Sequence, residues 1–242
     1  MNLEAMQTPP FYRSWVSSDL VNFTVSESES DILISAGKDL KNEARNLIRK
    51  ARQEVKEYIR KKPDFETSLK PLPPDGQAPP IIRSMLEATH RAGVGPMAAV
   101  AGAVSEFTGK GLLEFTDQAI LENGGDIFIK TSRERKVGIY AGESPLSGKI
   151  AISVKPGMTP LGICTSSGTV GHSLSFGKAE AVTVVARDAV LADACATAAC
   201  NMVKNEADIK KALAFAKTIE GVIGIVVIYG DRVGSAGEIE LV

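Results

Sequence analysis

Val21, Phe23 and Val25 alternate with polar residues, and Ile32 to Ile34 follow a Ser/Glu turn, so residues 20–36 predict two short strands. The period then changes. Leu40, Ala44, Leu47, Ile48, Ala51, Val55, Tyr58 and Ile59 recur at spacings of three and four, with Lys, Arg and Glu between them. That stripe predicts a long amphipathic helix whose charged side is a solvated face. Residues 63–80 hold six of the twelve prolines and read as a loop, either a linker between two halves or a flap, because proline removes backbone donors. A helix is expected from about Ile81 to Arg91, ending at Gly93. The segment after it, GPMAAVAGAVSEFTGKG, predicts another, with Pro96 in its first turn and five small residues among the next seven.

From 117 to 186 the pattern is one of short strands and turns: AILENGGDIFIK as strand–turn–strand, then VGIYAGE, KIAISVKPG and AEAVTVVA. Helices are expected over DAVLADACATAACNMV and over residues 206–219, and GIVVIYGDRVGSAGEIELV closes the chain as two strands joined at residues 230–231. Strands cluster between helical pairs instead of alternating with them. We therefore expect an α+β fold, mostly antiparallel sheet with helices packed on one face, and not a doubly wound parallel one. The order strand-strand-helix-helix recurs in outline, a hint of internal duplication. The expected organisation is one domain over residues 1–242.

Composition changes this picture little. The 242 residues are 44% hydrophobic and 24% charged, an ordinary globular mix. Net charge is −1, and no basic cluster outweighs the acidic residues over a domain-sized stretch, so nucleic acid is not an expected partner. No apolar run approaches a membrane span. The N-terminal MNLEAMQTPPFYRSW lacks the apolar core of a signal peptide. Cys164, Cys195 and Cys200 are odd in number and without CxxC spacing, and the last two would not face each other on a helix. A reducing, cytoplasmic setting is the simpler expectation.

Four segments could carry chemistry. Asn123-Gly124-Gly125-Asp126 lets the backbone approach a ligand and places a carboxylate beside it, although Asn-Gly is also the ordinary signature of a tight hairpin. Cys164-Thr165-Ser166-Ser167-Gly168-Thr169-Val170-Gly171-His172-Ser173 packs five hydroxyls, two glycines, a thiol and an imidazole into ten residues. It offers donors suited to phosphate or a flavin edge, and His172 is placed for proton transfer. His90 reads as a surface or packed residue. On the helix after Asp188, Asp193 and Thr197 stand one turn apart, two oxygen ligands for a hard cation such as Mg²⁺. The small-residue helix around Ala99 is the fourth. Cys164 reads either as a small buried hydrophobe or as a reactive thiolate.

Taken in order, ENGGDI at 122–127, TSSG at 165–168 and ADACATA at 192–198 resemble the ApbE family, Mg²⁺-dependent transferases that use FAD to attach FMN to a protein threonine. The likeness covers roughly residues 95–242. It implies a T-fold-like α+β architecture, FAD and Mg²⁺ as cofactors, and a protein acceptor. It also implies metal ligation by Asp193, Thr197 and the Ala99 backbone oxygen. Cofactor contacts would come from Asn123, Gly124, Gly125, Asp126, Thr165, Ser166, Ser167 and Gly168, with His172 in the place of the catalytic histidine. Two departures are plain: Val100 replaces the family lysine, and the Asp-Pro that follows the family histidine is missing after His172. The pattern looks most like a short branch found largely in archaea and anaerobes, loosely associated with sulfide assimilation and homocysteine formation. Three readings follow: an FMN transferase or FAD pyrophosphate hydrolase, a flavin- or nucleotide-binding module without turnover, and a sulfur-assimilation protein working through Cys164. A homodimer is compatible with any of them.

Overall fold

A computed structural model describes residue 13, residues 19–169 and residues 176–242. The described elements begin with β1 (Val21–Glu27) and β2 (Ser30–Ala36), then α1 (Lys41–Lys61), a single turn α2 (Asp64–Thr67), α3 (Pro80–Ala92) and α4 (Val100–Leu112). Strands β3 (Ala119–Asn123), β4 (Asp126–Lys130), β5 (Arg135–Gly138), β6 (Ala151–Val154), β7 (Leu161–Ser166) and β8 (Ala181–Ala186) follow. Helices α5 (Ala189–Met202) and α6 (Ile209–Lys217) then lead to β9 (Val222–Tyr229), β10 (Arg232–Gly237) and β11 (Glu240–Leu241).

Eight strands form one sheet in the order β1-β2-β3-β4-β7-β8-β9-β10, with every neighbouring pair antiparallel. Two strands, a set of helices and two more strands therefore occur twice. β1 to β4 make one half, β7 to β10 the other, and the β4–β7 ladder joins them. This repeat is the duplication hinted at by the sequence.

The period-two pattern of the central strands explains the layers. Val182, Val184 and Ala186 of β8, with Ile225 and Val227 of β9, belong to the core beneath the helices. Their alternates Ala181, Val185, Val226 and Ile228 pack on the opposite face with Ile152 and Val154 of β6. Because both faces are buried, β8 reads in sequence as a run that is apolar at every position but Thr183. All the helices share one face. The other is covered by a second, three-stranded sheet, β11-β6-β5, which local patterning did not reveal.

Helix α5 lies within the helical core, and its residues from Ala189 to Ala196 are all buried. That explains why small apolar residues dominate every side of it, Asp193 being the charged exception. Asp188 caps it, its side chain accepting from the Leu191 N–H at 2.7 Å. The helix expected from Pro96 begins as a 3-10 turn over Pro96–Ala99 and becomes α-helical only at Val100. Among the described residues no helix is long and apolar enough to cross a membrane.

Candidate functional site

The Asn123–Asp126 segment forms a tight hairpin. Asn123 and Asp126 pair across the β3–β4 hairpin, and the two residues between them, Gly124 (φ 65°) and Gly125 (φ 103°), turn the chain. Both lie in the positive-φ region that a two-residue hairpin needs. The turn also touches two other candidate segments. The Asn123 side-chain amide donates to the Ala101 carbonyl of α4 at 3.3 Å, and the Thr165 N–H donates to the Gly125 carbonyl at 3.2 Å.

Asp193 is the one charged residue of α5. Its Oδ2 accepts from the Gly102 N–H at 2.8 Å, and the Ala101 N–H also bonds the carboxylate. These are early amide groups of α4, which lack partners within their own helix, so Asp193 caps α4 from across the core. Close approach makes this possible. A Cβ on Gly102 would stand 2.2 Å from the Ala189 carbonyl oxygen and 2.7 Å from the Asp193 Cβ. The contact is reciprocal: Glu106 of α4 accepts from the Ala189 N–H at 2.8 Å, at the start of α5. Ala99 sits at the N-cap of α4 and is fully buried, so it belongs to this corner too. Thr197, one turn beyond Asp193, is half-buried.

Asp126 faces Cys164 across the β4–β7 ladder. The Cys164 thiol is fully buried and donates to the Ala189 carbonyl at 3.4 Å. Burial pushes Asp126 well above the usual carboxylate range, the neighbouring Asp193 pushes it further, and its contact with Cys164 works the other way. Burial likewise pushes Asp193 up to about 7, against the Gly102 and Ala101 N–H groups that favour its ionised form. Both carboxyls therefore hold their protons to higher pH than an exposed aspartate does. Burial, followed by Asp126 and then Asp193, also raises Cys164, which is therefore a thiol and not a thiolate.

The hydroxyl segment divides. Thr165 and Ser166 end β7, and the Thr165 hydroxyl pairs with that of Thr183 at 2.9 Å. Ser166 is buried, while Ser167 bonds Thr169 in an exposed turn. Gly168 donates to the Ala179 carbonyl. Val170, Gly171, His172 and Ser173 lie outside the described residues. His90 is exposed on α3.

Asn123 to Asp126, Thr165, Cys164, Asp193 and the first turn of α4 thus form one connected corner. Local reasoning missed Glu106, Gly102 and Arg13, whose guanidinium bonds Glu122 beside the turn. Gly102 had a signal, the density of small residues; the other two had none. A cleft of about 120 Å³ between α3, α4 and the start of α5 is lined by Arg91, Glu106, Lys110 and Asp188, among others. Two of its carboxylates are taken, Glu106 by Lys110 and Ala189 and Asp188 by Leu191.

Among the described residues no group of three or more His, Cys, Asp or Glu side chains has the arrangement of a metal site. A cation at Asp193 would have to be held by a mixture of carboxylate, hydroxyl, backbone oxygen and water. That is how Mg²⁺ is commonly held, and two buried acidic groups lacking positive charge are a fitting donor set.

The architecture is that of the ApbE flavin transferases. The structure of flavin transferase ApbE from Vibrio cholerae aligns with a TM-score of 0.55 over 91% of this chain and 98% of that one, at 13% identity. The ApbE protein of Thermotoga maritima aligns with a TM-score of 0.56 over 90% and 97%, also at 13% identity. At such identity the likeness is one of fold. Sequence takes it further: residues 13–235 match the family described as AbpE bacteria, and the chain belongs to that family. It is 41% identical over 226 residues to a UPF0280 protein of Methanococcus aeolicus, covering 91% of each chain. A UPF0280 protein of Methanocaldococcus jannaschii is 42% identical over 217 residues, covering 87% of this chain and 88% of that one.

Proposed function

We propose that this chain binds FAD through Mg²⁺ held at Asp193, Thr197 and the Ala99 carbonyl, and transfers FMN to a protein acceptor or cleaves the FAD pyrophosphate. The observation that carries the reading is the buried Asp193 carboxylate, held on the Gly102 N–H at the N-terminus of α4, with the buried Asp126 tied to the same helix through the Ser105 hydroxyl. Such a pair favours a bound cation, which when present supplies positive charge to a pyrophosphate. The amide groups of Ala101 and Gly102 orient the Asp193 carboxylate, and Asn123 holds the hairpin against the same helix turn. Asn123 to Asp126 and Thr165 to Gly168 are the proposed contacts to the nucleotide, and His172 the proposed base. The free, buried cysteines accord with a cytoplasmic setting.

A second reading, binding without turnover, draws on Val100. This half-buried residue opens α4 where the family resemblance expects a lysine, so the first turn of the helix supplies no side-chain cation to phosphate. The sulfur reading gains nothing from the structure, because Cys164 is a buried, hydrogen-bonded thiol.

The test is calorimetric titration of FAD into the protein with and without Mg²⁺, alongside Asp193→Asn, followed by analysis for AMP and FMN. Magnesium-dependent binding that the variant loses, with AMP released, supports the enzymatic reading. FAD bound but intact over hours supports the module. No binding under any condition refutes both.

A further inference from the structure

Among the described residues before β1, Arg13 reaches the β3–β4 hairpin. The Arg13 guanidinium is only 7% exposed and lies between Asp31 and Glu122. Its Nε donates to Glu122 Oε2 at 2.6 Å and one Nη donates to Asp31 Oδ2 at 2.5 Å. The other Nη donates to the backbone carbonyl of Asp31 at 2.6 Å and to that of Glu122 at 3.4 Å. The planar fork therefore bridges Asp31, near the start of β2, and Glu122 of β3, a geometry that lysine cannot reproduce.

Glu122 has a second task. Its other oxygen, Oε1, accepts from the Gly125 N–H at 2.8 Å. Gly125 is the second turn residue of the hairpin and the residue immediately before Asp126. A continuous path thus runs from the Arg13 guanidinium through the Glu122 carboxylate to the backbone that presents Asp126. Asn123 fixes the other side of the same turn to Ala101, whose N–H bonds Asp193.

We propose that Arg13 is a positioning residue: by orienting the Glu122 carboxylate it sets the Gly124–Gly125 turn, and with it the placement of Asp126 beside Asp193. Its importance to ligand binding rests on the reading of that carboxyl pair as the ligand site. Its action on the turn does not. A residue that merely anchored the chain terminus would use the same bonds to Asp31 and would leave the turn alone.

The experiment separates these cases in the full chain by amide hydrogen exchange at Gly125 and Asp126, with melting temperature recorded for every variant. Arg13→Ala and Glu122→Ala should each speed exchange at Gly125 about tenfold, the scale of one charge-assisted hydrogen bond. The double variant should be no faster than Glu122→Ala. Asp31→Asn, which weakens the anchor but leaves the Glu122 path, should lower the melting temperature with Gly125 exchange changed by less than about threefold. Arg13→Lys should recover part of the protection, and it supplies the comparison with wild type if Arg13→Ala does not fold. In titrations of FAD with Mg²⁺, Arg13→Ala should weaken binding about tenfold. Unchanged Gly125 exchange in Arg13→Ala, or effects of Arg13→Ala and Glu122→Ala that add, would overturn the proposal. If the wild-type chain binds no FAD, the reading of the site fails, and the exchange comparison still decides the role of Arg13.

Discussion

Gly102→Ala tests the central contact of the site. Alanine is the better helix former, and on an open face of α4 the change would stabilise by about 0.8–1 kcal/mol. Here the new Cβ would stand 2.2 Å from the Ala189 carbonyl oxygen, 2.7 Å from the Asp193 Cβ and 2.9 Å from the Ala189 carbonyl carbon. Two of the three obstacles are backbone, so no rotamer change relieves them; an ordinary contact requires α4 and α5 to part by about 1 Å. Overpacking costs roughly 1–3 kcal/mol, and backbone obstacles put this case in the upper half of that range, about 2–3 kcal/mol, which outweighs the gain in propensity. The separation also stretches the 2.8 Å bond from the Gly102 N–H to Asp193. A net loss of about 1–2 kcal/mol is expected, which for a chain of this size lowers the melting temperature by about 2–8 °C. Thermal unfolding is the assay, with Gly76→Ala as control, since a Cβ there meets nothing within 4 Å. A Gly102→Ala protein as stable as wild type, with unaltered response to Mg²⁺, would refute the close packing of α4 on α5 as the means of holding Asp193.

Two further outcomes follow from the buried groups. Asp126 and Asp193 both have folded pKa values raised above those of the unfolded chain, so the folded state keeps protons that the unfolded state releases. The contribution of Asp193 is complete below the ordinary carboxylate pKa and is lost as pH rises through about 7, and that of Asp126 changes in the same direction. The depressed pKa of Asp75, about 2, acts in the opposite sense but at much lower pH. Without divalent cation the melting temperature should therefore fall between pH 5 and pH 8. Asp193→Asn should flatten that fall and be the more stable protein at pH 8, and Mg²⁺ should raise the wild-type value and not the variant's; a pH-independent wild type would contradict this. The second outcome concerns the thiols. All three cysteines are buried, and burial pushes Cys195 up to about 12 and raises Cys164. A thiol-reactive disulfide reagent should label none of them in the native protein at pH 8 and all three after denaturation. Rapid labelling of Cys164 in the native protein would revive a role for its thiolate.

Much of the architecture was written in local pattern. The spacing from Leu40 to Ile59 makes α1, the alternation around Phe23 and Ile34 makes β1 and β2, and the run AVTVVA makes a strand buried on both faces. The Gly-Gly turn, the order of the family-like segments and the free cysteines were legible for the same reason: each depends on residues a few positions apart. Boundaries were less so. Pro96 lies in the first turn of its helix, yet the turn is 3-10, and the α-helix waits until Val100.

Tertiary structure alone decided how the parts meet. Strand register sets Asp126 against Cys164, and the glycine-mediated approach of α4 to α5 brings the Asp193 carboxyl onto amide groups 91 residues away. The pairing of β11 with β6, the reciprocal bond from Ala189 to Glu106 and the reach of Arg13 to Glu122, 109 residues distant, arise in the same way. A sequence declares which residues favour a helix, a strand or a turn, because those preferences are settled by neighbours along the chain. The pKa of a carboxyl is settled by neighbours in space and by the water they exclude. Asp126 and Asp193 are ordinary aspartates until the fold buries them together.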